Sequence, residues 1–222
     1  MCGRYVQTTP ADALATRFGT RLPEGIVWTP RWNVAPSTRA PLVREGPDGP
    51  VLAWLSWGLL PSWARDENGP RPINARAEGI AGKPMFRDAL KRRRALVPAD
   101  GFYEWTAGRG AKTPWFFRLA GGAPFAFAGI WERRESPGGA AVESFALVTT
   151  EANALVGPVH ARMPVILDAR TEAIWRRSGP LTDAELVRCL APLDARERES
   201  WPGSPRVNSP SNDGPLCIEP AA

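Results

Sequence analysis

Short apolar runs that end in Gly- or Pro-containing turns dominate the chain. Runs of this length, rich in β-branched and aromatic residues, indicate strands rather than long helices. The turn at 47–50 links two such runs as a hairpin, and we expect the tail at 206–218 to return to the sheet. Strands or extended segments are predicted at residues 5–8, 41–44, 51–57, 95–98, 114–119, 124–131 and 144–149, with turns at Gly121–Gly122 and Gly138–Gly139.

Helical periodicity is confined to short segments. Apolar residues between positions 11 and 18 recur at i, i+3, i+4 and i+7, which predicts an amphipathic helix. Thr9 is its predicted N-cap, Pro10 its first helical residue and Gly19 its end. Further helices are predicted at 84–94, 169–177 and 183–190, and a helical turn at 151–156.

Two local signals refine these helices. Thr182 and Glu185 stand at capping-box spacing before the last one. Four consecutive cations, Lys91 to Arg94, end the second. They suit the negative end of the helix dipole, and they equally suit phosphate binding, so both interpretations stay open.

The order of these elements predicts one α+β domain. Strands are numerous and short, helices are peripheral, and no repeat or linker divides the chain. A barrel-like or a sandwich core satisfies this pattern.

The amino-acid composition excludes several classes of protein and favours others. The chain has 43% hydrophobic residues and ten Trp, enough for a substantial core, and a net charge of +5 that favours polyanions such as nucleic acid. Its three cysteines form no CxxC pair and it has one histidine, so neither a zinc site nor a disulfide framework is expected. We expect a cytoplasmic protein without metal, cofactor or membrane-spanning segment.

The first residues, Met1-Cys2-Gly3-Arg4, carry the most specific chemistry. We expect removal of Met1, because residue 2 is small. Cys2 would then bear an amine with a reference pKa of about 7.7–8.0 and a thiol of about 8.5. The amine can form a Schiff base with an aldehyde, and the thiol can close on the imine carbon to give a thiazolidine ring. Taken alone, a Met-Cys start is more often chance.

Five polar stretches interrupt apolar surroundings, and each has an ordinary explanation by itself. Glu104 could be a strand-end carboxylate, His160 a loop residue and Asn74 a turn cap. The stretches are residues 2–4, 33–36, 74–76, 104–105 and 160–164.

Together, the motifs resemble the SOS response-associated peptidase (SRAP) family, the abasic-site processing proteins. Six of them occur in family order across residues 2–164, and Val207-Asn208 continues the match more weakly. The resemblance implies a single SRAP domain over 1–222 with a mixed or antiparallel barrel-like core, flanked by short helices. The motifs are CGRY at 2–5, WNVAP at 32–36, WGLLPSW at 57–63, INARAE at 73–78, PADGFYEW at 98–105 and HARMP at 160–164.

The resemblance further implies covalent capture of abasic sites in single-stranded DNA, whose open sugar is the aldehyde that Cys2 would attack. Catalytic positions carried over are Cys2, Asn74, Glu104 and His160. Glu104 would act as general acid/base, His160 would share proton transfer and Asn74 would orient the amine or the sugar. Ring closure would shield the lesion from strand cleavage.

The expected DNA contacts are less specific. Arg4 and Arg76 are predicted phosphate ligands, with Arg162 a weaker one. Trp63 and Pro36 are predicted to stack or wedge beside unpaired bases. Asn33 completes the predicted DNA-binding set, whereas Trp32, Trp57, Trp105 and Trp131 are assigned to core packing.

The expected partner is single-stranded DNA with abasic sites, including junctions with duplex. The protein would be a monomer, nucleoid-associated when bound. Two rival functions remain: an N-terminal-nucleophile peptidase, and a non-covalent single-strand binder with an inert Cys2.

Overall fold

The fold was obtained as a computed structural model that describes residues 2–66, 69–106, 112–135, 139 and 141–221. Met1 and Gly138, named in the predictions above, lie outside the described residues. The strands are β1 Arg4–Gln7, β2 Arg31–Val34, β3 Arg39–Gly46, β4 Gly49–Trp57, β5 Asn74–Arg76, β6 Arg94–Ala99, β7 Gly101–Trp105, β8 Pro114–Leu119, β9 Phe125–Glu135, β10 Ala141–Glu151, β11 Arg162–Pro164, β12 Ile166–Leu167 and β13 Arg198–Pro202.

Five strands close into a mixed barrel. Its order is β4, β3, β6, β9 and β10, and β10 returns to β4 by the one parallel pairing in this ring. β5 adds to β10 in parallel, and β11 and β12 extend the barrel sheet. The barrel-like core predicted from the sequence is confirmed, and the sandwich alternative is wrong.

A second, antiparallel sheet packs against this barrel. Its order is β13-β8-β7-β1-β2. Tyr5 of β1 contacts Trp57 and Phe127 of the barrel edge-on, with ring centroids 5.3 and 5.8 Å apart. Phe102 of β7 meets Phe127 at 6.1 Å. Large buried rings therefore join the two sheets and hold β1 and β7 against the barrel.

The helices are α1 Ala11–Phe18, α2 Arg87–Arg92, α3 Ala169–Arg176 and α4 Asp183–Leu190. The capping box of Thr182 and Glu185 is confirmed, and Gly19 ends α1 with a left-handed φ of 59°. The N-cap prediction for Thr9 is wrong. Its hydroxyl binds Asp100 instead, and Pro10 precedes the helix.

Three other expectations are corrected. α2 is shorter than the predicted 84–94, and residues 154–159 form the turns expected at 151–156. The tail does not return to the sheet. It forms 3-10 helices at Pro205–Asn208 and Pro215–Cys217, whereas β13 occupies the sheet edge.

The cation run at 91–94 has a structural role at its end. Arg94 is buried and donates to the carbonyl oxygens of Leu90 and Trp175 at 2.7 Å. Arg93 pairs with Glu132 at 2.7 Å. These two guanidinium groups hold the barrel to α2 and α3, which supports a structural role for Arg93 and Arg94. Lys91 and Arg92 are exposed, and phosphate binding by these two stays a prediction.

Candidate functional site

An open cavity of about 430 Å³ lies where β1 and β7 approach the barrel. Two predicted catalytic side chains, Glu104 and His160, face it, together with the predicted phosphate ligand Arg4. The lining residues are Arg4, Glu104, Trp105, Lys112, His160 and Asn208.

Cys2 is held beside this cavity by the barrel. β5 pairs with β10 so that Asn74 lies beside Leu147, and Asn74 Nδ2 donates to the Cys2 carbonyl oxygen at 2.9 Å. The Cys2 side chain is fully buried. Burial, and next the charge of Glu104, raise the pKa of the Cys2 thiol. The thiol is therefore protonated near neutral pH.

Glu104 reaches the N-terminus through strand pairing. β1 and β7 are antiparallel with Arg4 opposite Tyr103, which places Glu104 beside the residues that precede Arg4. Its side chain is only 2% exposed. Burial raises the pKa of Glu104 to about 7, so both its acid and its carboxylate forms are populated at neutral pH.

His160 lies in the segment between β10 and β11. Its backbone N–H donates to the Val156 carbonyl oxygen at 3.0 Å. His160 Nδ1 lies 2.9 Å from the Arg162 backbone nitrogen and 3.0 Å from the Arg162 carbonyl oxygen, so the Arg162 backbone engages this ring nitrogen in either tautomer. Burial lowers the pKa of His160, which favours the neutral ring over the imidazolium.

The three predicted arginines differ in their surroundings. Arg4 is half-buried at the cavity, and burial lowers its pKa. Arg76 is exposed at the end of β5 and forms no ion pair within the described residues. Arg162 is held by Glu78 through its two terminal guanidinium nitrogens and donates to the Thr149 carbonyl oxygen at 2.6 Å. Arg4 alone of these lines the cavity.

The remaining predicted DNA contacts lie away from the cavity. Asn33 is buried and donates to three carbonyl oxygens of the C-terminal segment. Pro36 is half-buried, and Trp63 is 60% exposed. Exposure suits the stacking role predicted for Trp63. The contacts of Asn33 give no support to DNA binding, which stays a prediction.

The sequence analysis did not predict three of the residues that line the cavity. Trp105 was assigned to the core, but it is half-buried at the cavity and donates to Asn208 Oδ1 at 2.7 Å. Lys112 lies between β7 and β8, close in sequence to Trp105, whereas Asn208 comes from a segment distant in sequence. The weak family match at Val207-Asn208 was the one available signal for Asn208.

The described ranges hold no group of three or more His, Cys, Asp or Glu side chains placed to bind a metal ion. Over the same ranges, no helix has the length and apolar character needed to cross a bilayer.

Known proteins resemble the chain along almost its whole length. It is 38% identical over 223 residues to the abasic site processing protein YoqW of Bacillus subtilis, covering 99% of both chains. It is 30% identical over 227 residues to YedK of Escherichia coli, a protein with the same description, covering 99% of this chain and 100% of that one. A crystal structure of a protein from Bacteroides thetaiotaomicron matches with a TM-score of 0.89 at 26% identity, covering 100% of both chains.

The family model described as SOS response associated peptidase (SRAP) matches residues 1–210. The family model and these full-length relatives agree, and the chain belongs to the SRAP family.

Proposed function

We propose that this protein processes abasic sites in single-stranded DNA by covalent capture on Cys2. The observation that carries the proposal is the juxtaposition at the N-terminus. Asn74 holds the Cys2 carbonyl at 2.9 Å, and the buried carboxyl of Glu104 has a pKa of about 7. Relatives that share the full length of the chain are abasic site processing proteins.

The reaction begins once Met1 is removed. The Cys2 amine attacks the aldehyde carbon of the open abasic sugar and gives a carbinolamine. Loss of one water gives an imine, and the thiol sulfur then bonds to the imine carbon while its proton passes to the nitrogen. The product is a thiazolidine, formed with the net release of one water and no change of oxidation state.

The raised pKa values of the Cys2 thiol and of Glu104 indicate the order in which protons move in these steps. Burial raises the pKa of the Cys2 thiol, so it stays protonated while the amine attacks. Glu104 in its acid form donates a proton to the departing hydroxyl, and its carboxylate form then accepts the thiol proton. A pKa of about 7 suits a group that must do both at neutral pH.

His160 and Arg4 act on the substrate. His160 turns Nε2 toward the sugar and exchanges a proton with its oxygen, since the Arg162 backbone engages Nδ1. Arg4, half-buried at the cavity, binds the adjoining phosphate. Ring closure removes the iminium that would draw electrons in β-elimination, so the lesion is shielded and the strand stays intact.

The test is a denaturing gel of the protein with single-stranded DNA that carries one abasic site, beside intact-mass analysis for loss of Met1. Wild type should give a stable adduct of slower mobility, and Cys2→Ala none. Cys2→Ser, like Cys2→Ala, keeps the backbone amine but lacks sulfur, so either variant should give only an imine, which survives the gel after borohydride reduction and not without it.

An unchanged adduct without reduction in Cys2→Ala, or with Met1 retained, would refute capture through the Cys2 amine and thiol. If the wild-type protein binds the DNA but forms no adduct, the rival function as a non-covalent single-strand binder would be favoured. Peptide cleavage that depends on Cys2 without DNA would favour the peptidase.

A further inference from the structure

Asn208 ends the 3-10 helix Pro205–Asn208 and lines the same cavity as Glu104 and His160. It comes from a part of the chain remote from every other lining residue. The Trp105 indole N–H donates to Asn208 Oδ1 at 2.7 Å.

This hydrogen bond determines the orientation of the amide. An indole nitrogen can only donate, so the atom that faces Trp105 is the amide oxygen. The Nδ2 group with its two N–H donors remains, and no acceptor for it occurs within the described residues. Asn208 therefore offers unused donors at the cavity.

Hydrogen bonds from β2 hold the backbone of the segment that carries Asn208. Asn33 Nδ2 donates to the carbonyl oxygens of Val207, Ser209 and Asn212 at 3.3, 2.9 and 2.8 Å. Asp213 accepts from the backbone N–H groups of residues 32 and 33 at 2.6 and 3.0 Å and pairs with Arg31. We call these contacts the C-terminal latch. A donor held on both sides loses little entropy when a ligand binds.

We propose that Asn208 is a further ligand-contacting residue, whose Nδ2 donates to an oxygen of the DNA sugar–phosphate backbone at the captured lesion. The ligand must supply an acceptor, because only donors are left on the amide. The cations Arg4 and Lys112 line the same cavity. Because they favour an anion there, the expected acceptor is a phosphate oxygen of the DNA, or a sugar oxygen next to that phosphate. This inference rests on the proposed function.

The test measures affinity for single-stranded DNA carrying a tetrahydrofuran analogue of the abasic site, which has no aldehyde and cannot be captured. Fluorescence anisotropy at fixed salt compares wild type with three variants. Asn208→Ala should weaken binding about 3- to 10-fold, the usual effect of one lost hydrogen bond. Asn208→Asp keeps the acceptor for Trp105 but replaces the donor by an anion, and should weaken binding about tenfold or more.

The matched control is Ser211→Asp, which adds the same charge to the same segment outside the cavity lining. Its affinity should stay within about twofold of wild type, because an exposed charge is screened by salt. Trp105→Phe keeps an aromatic side chain but removes the indole N–H that orients the amide, and should weaken binding less than Asn208→Asp.

Wild-type affinity in Asn208→Asp, or an equal loss in Ser211→Asp, would overturn the proposal. A loss in Asn208→Ala at an unchanged melting temperature supports it. Failure of the proposed function would show elsewhere, as a wild-type protein that binds the analogue but forms no adduct with a true abasic site.

Discussion

The barrel and the second sheet contribute different kinds of group to one site. From the barrel side come Asn74 and His160, which are held by neutral hydrogen bonds to Cys2 and Arg162. The second sheet brings Glu104, whose pKa burial raises to about 7, and Arg4.

The two sheets also end differently. The barrel strands form a closed ring without free edges, whereas β2 is an edge that the C-terminal latch covers. We infer a division of labour for the proposed reaction, in which Asn74 on the barrel side orients Cys2 and the second sheet supplies Glu104, the carboxyl whose raised pKa suits general acid/base work.

The largest expected effect tests that division. Glu104→Gln should slow maximal adduct formation about 100-fold or more, as loss of a general acid/base does, with little change in DNA affinity. Asn74→Ala removes one orienting hydrogen bond and should slow it about tenfold. Single-turnover assays at saturating DNA measure both.

Glu199→Gln is the matched control, since Glu199 pairs with Arg118 away from the cavity. Equal slowing in the Glu104 and Asn74 variants would break the division between the two sheets. Equal losses of rate and affinity in Glu104→Gln would remove Glu104 from the chemistry.

Asn33→Ala tests the latch on the sheet edge. It leaves three carbonyl oxygens without their shared donor. We expect a loss of about 2–3 kcal/mol in the free energy of unfolding, or about 4–12 °C in melting temperature. Asn212→Ala, which loses one exposed side-chain bond to the Arg206 carbonyl oxygen, should cost under about 1 kcal/mol.

Calorimetry and DNA titration together decide the role of Asn33. Weakened DNA binding at an unchanged melting temperature would instead support the DNA contact predicted for Asn33 from the sequence.

The third prediction compares two expected phosphate ligands, Arg4 from the second sheet and Arg76 from the barrel side. Arg4→Ala should weaken binding to abasic-site DNA about tenfold, because its guanidinium is half-buried at the cavity and a charge-assisted hydrogen bond is the stronger kind. Arg76→Ala, at an exposed position, should have a smaller effect. Each should reduce the slope of log affinity against log salt by about 1. An unchanged slope in either variant removes that arginine from phosphate binding.

The smallest effect concerns pH and stability. Glu104 has a folded pKa of about 7 against an ordinary value of 4.5. The folded state thus binds the proton more tightly, so this contribution to stability is fully present below pH 4.5 and is lost as pH rises from there through about 7. We expect wild type to lose about 1 kcal/mol between pH 6 and 8 from this group. Thermal unfolding of Glu104→Gln should lack that component, and identical pH profiles would contradict the raised pKa.

Local patterns allowed much of the fold to be predicted. The capping box of α4 and the end of α1 at Gly19 are correct because both depend on neighbours within one turn. The N-cap at Thr9 is wrong because Asp100, remote in sequence, takes its hydroxyl. The predicted tail strand is wrong for a similar reason, since the latch holds that segment in 3-10 turns.

For the site, the sequence by itself determined the chemical groups: an aminothiol once Met1 is removed, a carboxylate, an imidazole and an amide, all in motifs that follow family order. Only the tertiary structure decided their protonation and their neighbours. Burial sets the pKa of Glu104, and pairing between strands brings it to Cys2. The tertiary structure also places Asn208 within hydrogen-bonding distance of Trp105, about 100 residues away along the chain. Desolvation and contacts of this kind arise only when distant segments pack together, so the sequence alone could not predict them.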